Sequence, residues 1–418
     1  ILYQERFSWK RRMMMKMKSK YRKLLKRTFS PAVVSLMLLL MVVGLMTGCR
    51  DQGNESANES TVTEAADEGE KEDIFDNIGE EKEAPTADLK VMEATDMEQA
   101  VSEDTIVSEE IETASVEADR GDVLKTSDGK TIVDLIMFMG QSNMSGCGGD
   151  AAQAPKVEEG TAYEFRAISD PTRLYQIAEP FGINENQIGG IIEYPGGKKG
   201  SLVSAFANEY FKETGVPIVA VSASVGATTT EYWTRTAIVN DFVERHERAV
   251  VWMESNEYSI RHQYVIWLQG ESDADEGITV SEYSTNMDNI IRPLFIKGIQ
   301  KVFIIRPGRV MSKEDYFDDV ISAQTEMCKS SSYYALASTL LSGYDTSYMT
   351  DEWHYGQIAL NYLGTDAGKN VAYFTNYDKE PCLYDYKYRN TYIPDGYDYP
   401  SDTKVTPITI EPLKKANE

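Results

Sequence analysis

The chain has 418 residues, 42% hydrophobic and 26% charged, which is ordinary for a globular protein and long enough for two or three domains. Its formal net charge of −25 is uneven: residues 1–50 carry +11, residues 51–120 carry −20 and residues 121–418 carry −16. A body of that sign excludes nucleic acid as a partner, because phosphate contacts need clustered Lys and Arg; it suits neutral or weakly charged substrates.

Residues 1–49 read as a targeting segment. Lys10 to Arg27 is basic, and Ala32 to Met46 is almost wholly apolar, with the length of a signal core and short of a stable membrane span. Translation is expected to begin among Met13 to Met17. The segment ends at Leu45-Met46-Thr47-Gly48-Cys49, which resembles the lipobox of bacterial lipoproteins with Met46 in place of the usual Leu. The resemblance implies cleavage before Cys49, lipidation of its thiol and attachment of the body to the outer face of the cell membrane. Without it, the segment reads as an uncleaved signal or a membrane anchor, and the body still lies outside the cytoplasm. With Cys49 lipidated, Cys147, Cys328 and Cys382 remain, too few for a disulfide framework; with no CxxC pair and no His cluster, no metal site is expected.

Residues 50–120 are rich in Glu, Asp, Ala, Ser and Thr, with Phe75 as the sole aromatic. Such a segment buries too little apolar surface to offset its ordering entropy, so it is expected to be a disordered acidic linker. As a flexible coil it would span about 45 Å.

The body starts near Gly121. Apolar, β-branched runs predict strands at Thr131 to Met139, Ile218 to Ala223, Tyr264 to Leu268, Val302 to Arg306 and Tyr333 to Ala337. Helical spacing predicts helices over Ser201 to Thr214, Phe242 to Glu254, Val280 to Lys297, Glu314 to Cys328 and Gln357 to Tyr373. Strands alternating with helices imply an α/β fold: a parallel sheet covered by helices on both faces. Residues 121–378 form this domain. Residues 379–418 form a Tyr-rich extension expected to pack on or near it, holding Tyr384, Tyr386, Tyr388, Tyr392, Tyr397 and Tyr399.

In an open parallel sheet, chemistry sits beyond the carboxyl ends of the strands. Four strings fall there: Gly140-Gln141-Ser142-Asn143-Met144, Ser224-Val225-Gly226, Trp267-Leu268-Gln269-Gly270-Glu271 and Asp351-Glu352-Trp353-His354. A serine hydroxyl becomes nucleophilic when an adjacent base takes its proton; imidazole suits that role, and a carboxylate fixes its tautomer. The chain has only three histidines, so few can be the base. The backbone amides of Ser142 and Gly226 and the side-chain amide of Gln269 are candidate donors to a developing oxyanion.

Gly-Gln-Ser-Asn-Met after a strand, Trp-Leu-Gln-Gly-Glu-Ser-Asp, and Asp-x-x-His before a Tyr-Gly-Gln helix resemble the SGNH-type sialate O-acetylesterases, the group that includes carbohydrate esterase family 6 and its acetylxylan esterases. The resemblance covers roughly Thr131 to Tyr373. It implies a three-layer α/β/α sandwich, no cofactor and no metal. It also implies Ser142 as nucleophile, His354 as base and Asp351 as its partner. Ser142, Gly226 and Gln269 would line the oxyanion hole, Glu271 would support the site from behind, and the substrate would be an acetylated carbohydrate. Where the family usually reads Gly-Gly-Thr-Ser, this chain reads Gly226-Ala227-Thr228-Thr229, and the methyl at 227 is expected to crowd the acyl site or shift the amide.

Rival readings remain. Ser224 lies in Ser222-Ala223-Ser224-Val225-Gly226, close to a Gly-x-Ser-x-Gly elbow with Ser222 for the first glycine. His246 is expected on a solvated face and His262 in a loop or edge. A carbohydrate-binding surface protein with a dead site, and a solute-binding lipoprotein, are the alternatives to an esterase.

Overall fold

In the computed structural model, residues 124–410 are described. The expected signal segment with Cys49 and the expected acidic linker lie outside them. Strands β1 (Thr131–Gly140), β2 (Ala162–Phe165), β3 (Leu174–Gln176), β4 (Ile218–Ser224), β5 (Tyr258–Leu268), β6 (Lys301–Ile305) and β7 (Tyr334–Ser338) form one sheet in the order β3-β2-β4-β1-β5-β6-β7. All pairings are parallel except β2 with the edge strand β3. The helices are α1 (Ser142–Ser145), α2 (Val203–Thr214), α3 (Thr230–Trp233), α4 (Thr236–Glu254), α5 (Glu271–Glu276), α6 (Val280–Ile296), α7 (Asp318–Ser330) and α8 (Gln357–Tyr377).

Alternation along each strand splits the core in two. Val133, Leu135, Met137 and Met139 of β1 face a cluster with Phe242 of α4, Ile290 of α6 and Val320 of α7. Ile136 and Phe138 face the other cluster, with Phe206 of α2 and Leu363 of α8. A strand apolar on both faces is what a sheet covered on both sides requires, and the fold is a three-layer α/β/α sandwich with a mainly parallel sheet. On the second face α2 and α8 pack closely: a Cβ added at Gly364 would lie 2.2 Å from the Leu202 carbonyl oxygen.

The five expected strands and five long helices are present, with shifted ends. β5 begins at Tyr258 because its polar half pairs with Thr131 to Asp134 of β1. α4 begins at Thr236, where Ile238 enters the core although the β-branched run at its start has little helical character. β2 and β3 lie in a stretch read as loop. At four and three residues they are too short for periodicity, and backbone pairing alone defines them.

Residues 379–410 fold back on the β6–β7 side. Strands β8 (Leu383–Asp385) and β9 (Asn390–Tyr392) form a hairpin whose Leu383 and Tyr392 join the core. Arg306 donates to Asp385 at 2.5 Å and Lys301 to Glu380 at 2.7 Å, both buried pairs.

Candidate active site

The chain leaves β1 toward β2 on one side and leaves β4 toward β5 on the other, so a crevice lies at the carboxyl end of β1. The turn there is shaped residue by residue. Gly140, at φ +138°, lets β5 approach so closely that a Cβ would sit 2.0 Å from the Leu268 carbonyl oxygen. Gln141 N–H donates to that oxygen at 3.0 Å, and Gln141 Oε1 accepts from Gly270 N and Ser272 N at 3.4 and 3.3 Å. Ser142 then opens α1, where first-turn amides have no acceptor within the helix.

Asp351 and His354 form one compact unit. Asp351 Oδ1 accepts from Trp353 N and His354 N at 2.8 and 3.0 Å, and Oδ2 lies 2.8 Å from His354 Nδ1. Burial pushes the Asp351 carboxyl up, but the His354 hydrogen bond and charge outweigh it and hold the group below the usual carboxylate range. With Nδ1 bound, Nε2 is the nitrogen left to take a proton. Trp353 anchors the loop against Tyr316 and Phe317 at 5.7 and 6.3 Å between ring centres.

Two features bring this unit to the Ser142 turn. A Cβ at Gly148, just past α1, would lie 2.8 Å from His354 Cβ. Asn143 Nδ2 donates to the Trp353 carbonyl at 3.1 Å and to Glu271 Oε1 at 2.7 Å, while Asn143 Oδ1 accepts from Tyr355 N at 3.2 Å. Asn143 was not singled out from the sequence; its place beside Ser142 in the motif was the available signal. Glu271 lies buried behind the site with Oε2 unpartnered. Burial pushes its carboxyl up, against the Asn143 hydrogen bond and the nearby His354.

The remaining candidates are placed differently. Gly226 is beside Ser142, since a Cβ on it would meet Ser142 Cβ at 3.4 Å, yet its N–H donates to Glu193 Oε2 at 2.8 Å. Gln269 is fully buried. Its amide nitrogen donates to Thr228 O at 2.9 Å and to Asp273, and its Oε1 accepts from Tyr283 O–H at 3.1 Å. As placed, it braces the 228–230 turn and offers no donor to a substrate. Ala227 is exposed at φ +58°, so its methyl crowds nothing buried and its cost is a left-handed backbone. Ser224 is buried, taking a hydrogen bond from Lys198 Nζ at 2.7 Å and lying 3.0 Å from Ser145 Oγ. His246 departs from the solvated face expected of it: it is fully buried, 2.7 Å from Gln263 Oε1, because α4 turns Arg245 and His246 inward. His246 and His262 both lie toward the start of β5, at the opposite end of the sheet from Ser142.

Among the described residues no group of three or more His, Cys, Asp and Glu is arranged to hold a metal ion. A cavity of about 310 Å³ adjoins the His354 loop, lined in part by Gly148, Asp150, Gln153, Tyr348, Thr350 and Gln357.

A sandwich of this type with serine, histidine and carboxylate gathered at the carboxyl rim belongs to the SGNH hydrolase-like class. Residues 132–372 match the family described as carbohydrate esterase, sialic acid-specific acetylesterase, and the chain belongs to that family. No curated protein sequence matches it significantly. Similar solved structures include a protein of Arabidopsis thaliana (22% identity, TM-score 0.40, covering 59% of this chain and 99% of that one). NanS is similar at 12% identity and TM-score 0.44, over 60% and 99% of the two chains. A carbohydrate acetylesterase from Xanthomonas citri is similar at 17% identity and TM-score 0.38, over 57% of each.

Proposed function

We propose that this carbohydrate esterase removes O-acetyl groups from glycans through an acyl-enzyme on Ser142. The observation that carries the reading is the Asp351–His354 pair, 2.8 Å apart, tied through Asn143 to the turn that presents Ser142. Ser142 Oγ attacks the acetyl carbon and passes its proton to His354 Nε2. The carbon–oxygen bond to the sugar breaks, and His354 protonates the departing hydroxyl. Water then gives a proton to His354 and adds to the acyl carbon. Acetate leaves, and Ser142 recovers its proton. The cavity beside the His354 loop, with Asp150, Gln153, Thr350 and Gln357 among mostly apolar lining, leaves room for the sugar side of the ester.

The test is acetate release by the full chain from acetylated xylan, acetylated sialic acid and an aryl acetate, with Ser142→Ala alongside. Release that vanishes in the variant supports the reading, and the preferred glycan names the substrate. The engaged Gly226 amide favours one other reading, a sugar-binding protein without turnover. It requires glycan binding with no acetate released.

Placement at the cell surface is part of the proposal and rests on residues 1–49. Metabolic labelling with a radioactive fatty acid, lost on Cys49→Ala, is the expected result; a chain without label would reject the anchor.

A further inference from the structure

This inference rests on the esterase reading above. The two donors expected beside Ser142 both already donate elsewhere. For Gln269 the acceptors are buried and structural. For Gly226 the acceptor is a side chain on a surface segment. Glu193 is 4% exposed and lies in the irregular stretch between β3 and α2. Its backbone N–H donates to Asn186 Oδ1 at 2.8 Å, and its Oε1 accepts from Tyr194 N at 3.0 Å, which turns the carboxylate inward. A Cβ at Gly226 would meet Tyr194 Cε1 at 3.2 Å, Glu193 Oε1 at 3.3 Å and Ser142 Cβ at 3.4 Å. Carboxylate, ring and nucleophile therefore converge on one glycine.

A developing oxyanion and a carboxylate cannot both occupy the single hydrogen of Gly226 N–H, and their like charges repel. Ile191 is anchored, its side chain in the core and its N–H on Asp241 Oδ2 at 2.6 Å, whereas the exposed tip that follows Glu193 turns at left-handed Gly196, which has open space around it and suits a hinge. Tyr194 is 45% exposed beside Gly226, and an exposed aromatic ring can pack on a sugar.

We propose that Glu193 is a specificity-determining residue: it closes Gly226 N–H to small esters, and rapid turnover requires a sugar that engages the 186–197 segment at Tyr194 and draws Glu193 away. Simple aryl acetates lack that sugar and meet a closed oxyanion position.

The test is the rate at which a small fluorophosphonate labels Ser142 in the full chain, followed by mass. In that reaction an Oγ–phosphorus bond forms, the phosphorus–fluorine bond breaks, fluoride leaves and the hydroxyl proton passes to His354. The phosphoryl oxygen takes the oxyanion position. Glu193→Ala is expected to label at least tenfold faster than wild type, with Glu193→Gln, a neutral acceptor, in between. The kcat/KM preference for acetylated glycan over aryl acetate should fall at least tenfold in Glu193→Ala. Equal or slower labelling of folded Glu193→Ala overturns the inference and makes Glu193 a brace for the Gly226 turn. Should that variant fail to fold, an unchanged rate in Glu193→Gln overturns it instead. Absence of labelling in wild type and both variants would sink the serine-esterase reading itself, and the inference with it.

Discussion

Asn143 donates to Glu271 Oε1 across 2.7 Å and so joins the turn after β1 to the turn after β5. The same side chain binds Trp353 and Tyr355, the neighbours of His354 on either side. One buried amide thus sets the register of Ser142, Glu271 and His354.

Asn143→Ala is predicted to cost stability and rate together. It strands Glu271, whose other oxygen already lacks a partner, and a buried polar group without a partner costs about 1–3 kcal/mol. Freeing the His354 loop by about 1 Å is worth on the order of 100-fold in rate. Denaturant melts and steady-state kinetics check both; a variant as stable and as fast as wild type would reject this role.

Asp351→Asn is predicted to slow acetate release roughly 10- to 100-fold with KM little changed, because the imidazole loses the partner that fixes its tautomer and stabilises its charged form. The loss should stay below that of a fully buried triad carboxylate, since the Asp351 side chain is 55% exposed and solvent screens part of its charge. A loss beyond about 1,000-fold would contradict that reasoning.

Asp273 gives a pH-dependent prediction. It is buried against Thr230 and Gln269, and desolvation outweighs those hydrogen bonds to push its carboxyl up to about 6. With the folded value above the unfolded one, the native state binds more protons between about pH 4 and 6, so this group's contribution to stability is lost as pH rises through that window. The destabilisation caused by Asp273→Asn should therefore be larger near pH 4.5 than at pH 7.5, by on the order of 2 kcal/mol. Urea melts at the two pH values measure it; a cost that grows with pH would reverse the assignment.

Ala227→Gly is predicted to stabilise the protein by about 1 kcal/mol, because L-residues pay that much for the left-handed region that Ala227 occupies at φ +58°. Its side chain is exposed, so little packing is lost. Thermal melts test this, and a lower melting temperature in the variant would show that the methyl makes a needed contact.

Much of this molecule was legible in the chain. The central strands declared themselves because a strand buried on both faces must be apolar throughout, and the long helices because their buried stripes repeat every three to four residues. Ser142 stood out at the end of an apolar strand, and Asp351 and His354 by their three-residue spacing; their roles came from the resemblance to a family, and one turn of chain suffices to join the last two. Only the tertiary structure decided what depends on partners distant in sequence. Gln269 became internal because Asp273, Thr228 and Tyr283 surround it. His246 was buried by the packing of α4 against the start of β5. Asn143 acquired its bridging role from a loop 210 residues away, and Gly226 its carboxylate from a segment with no period to read. A single sequence records which residues have apolar or polar surfaces to place; which polar groups then meet follows from how the layers and loops close around them.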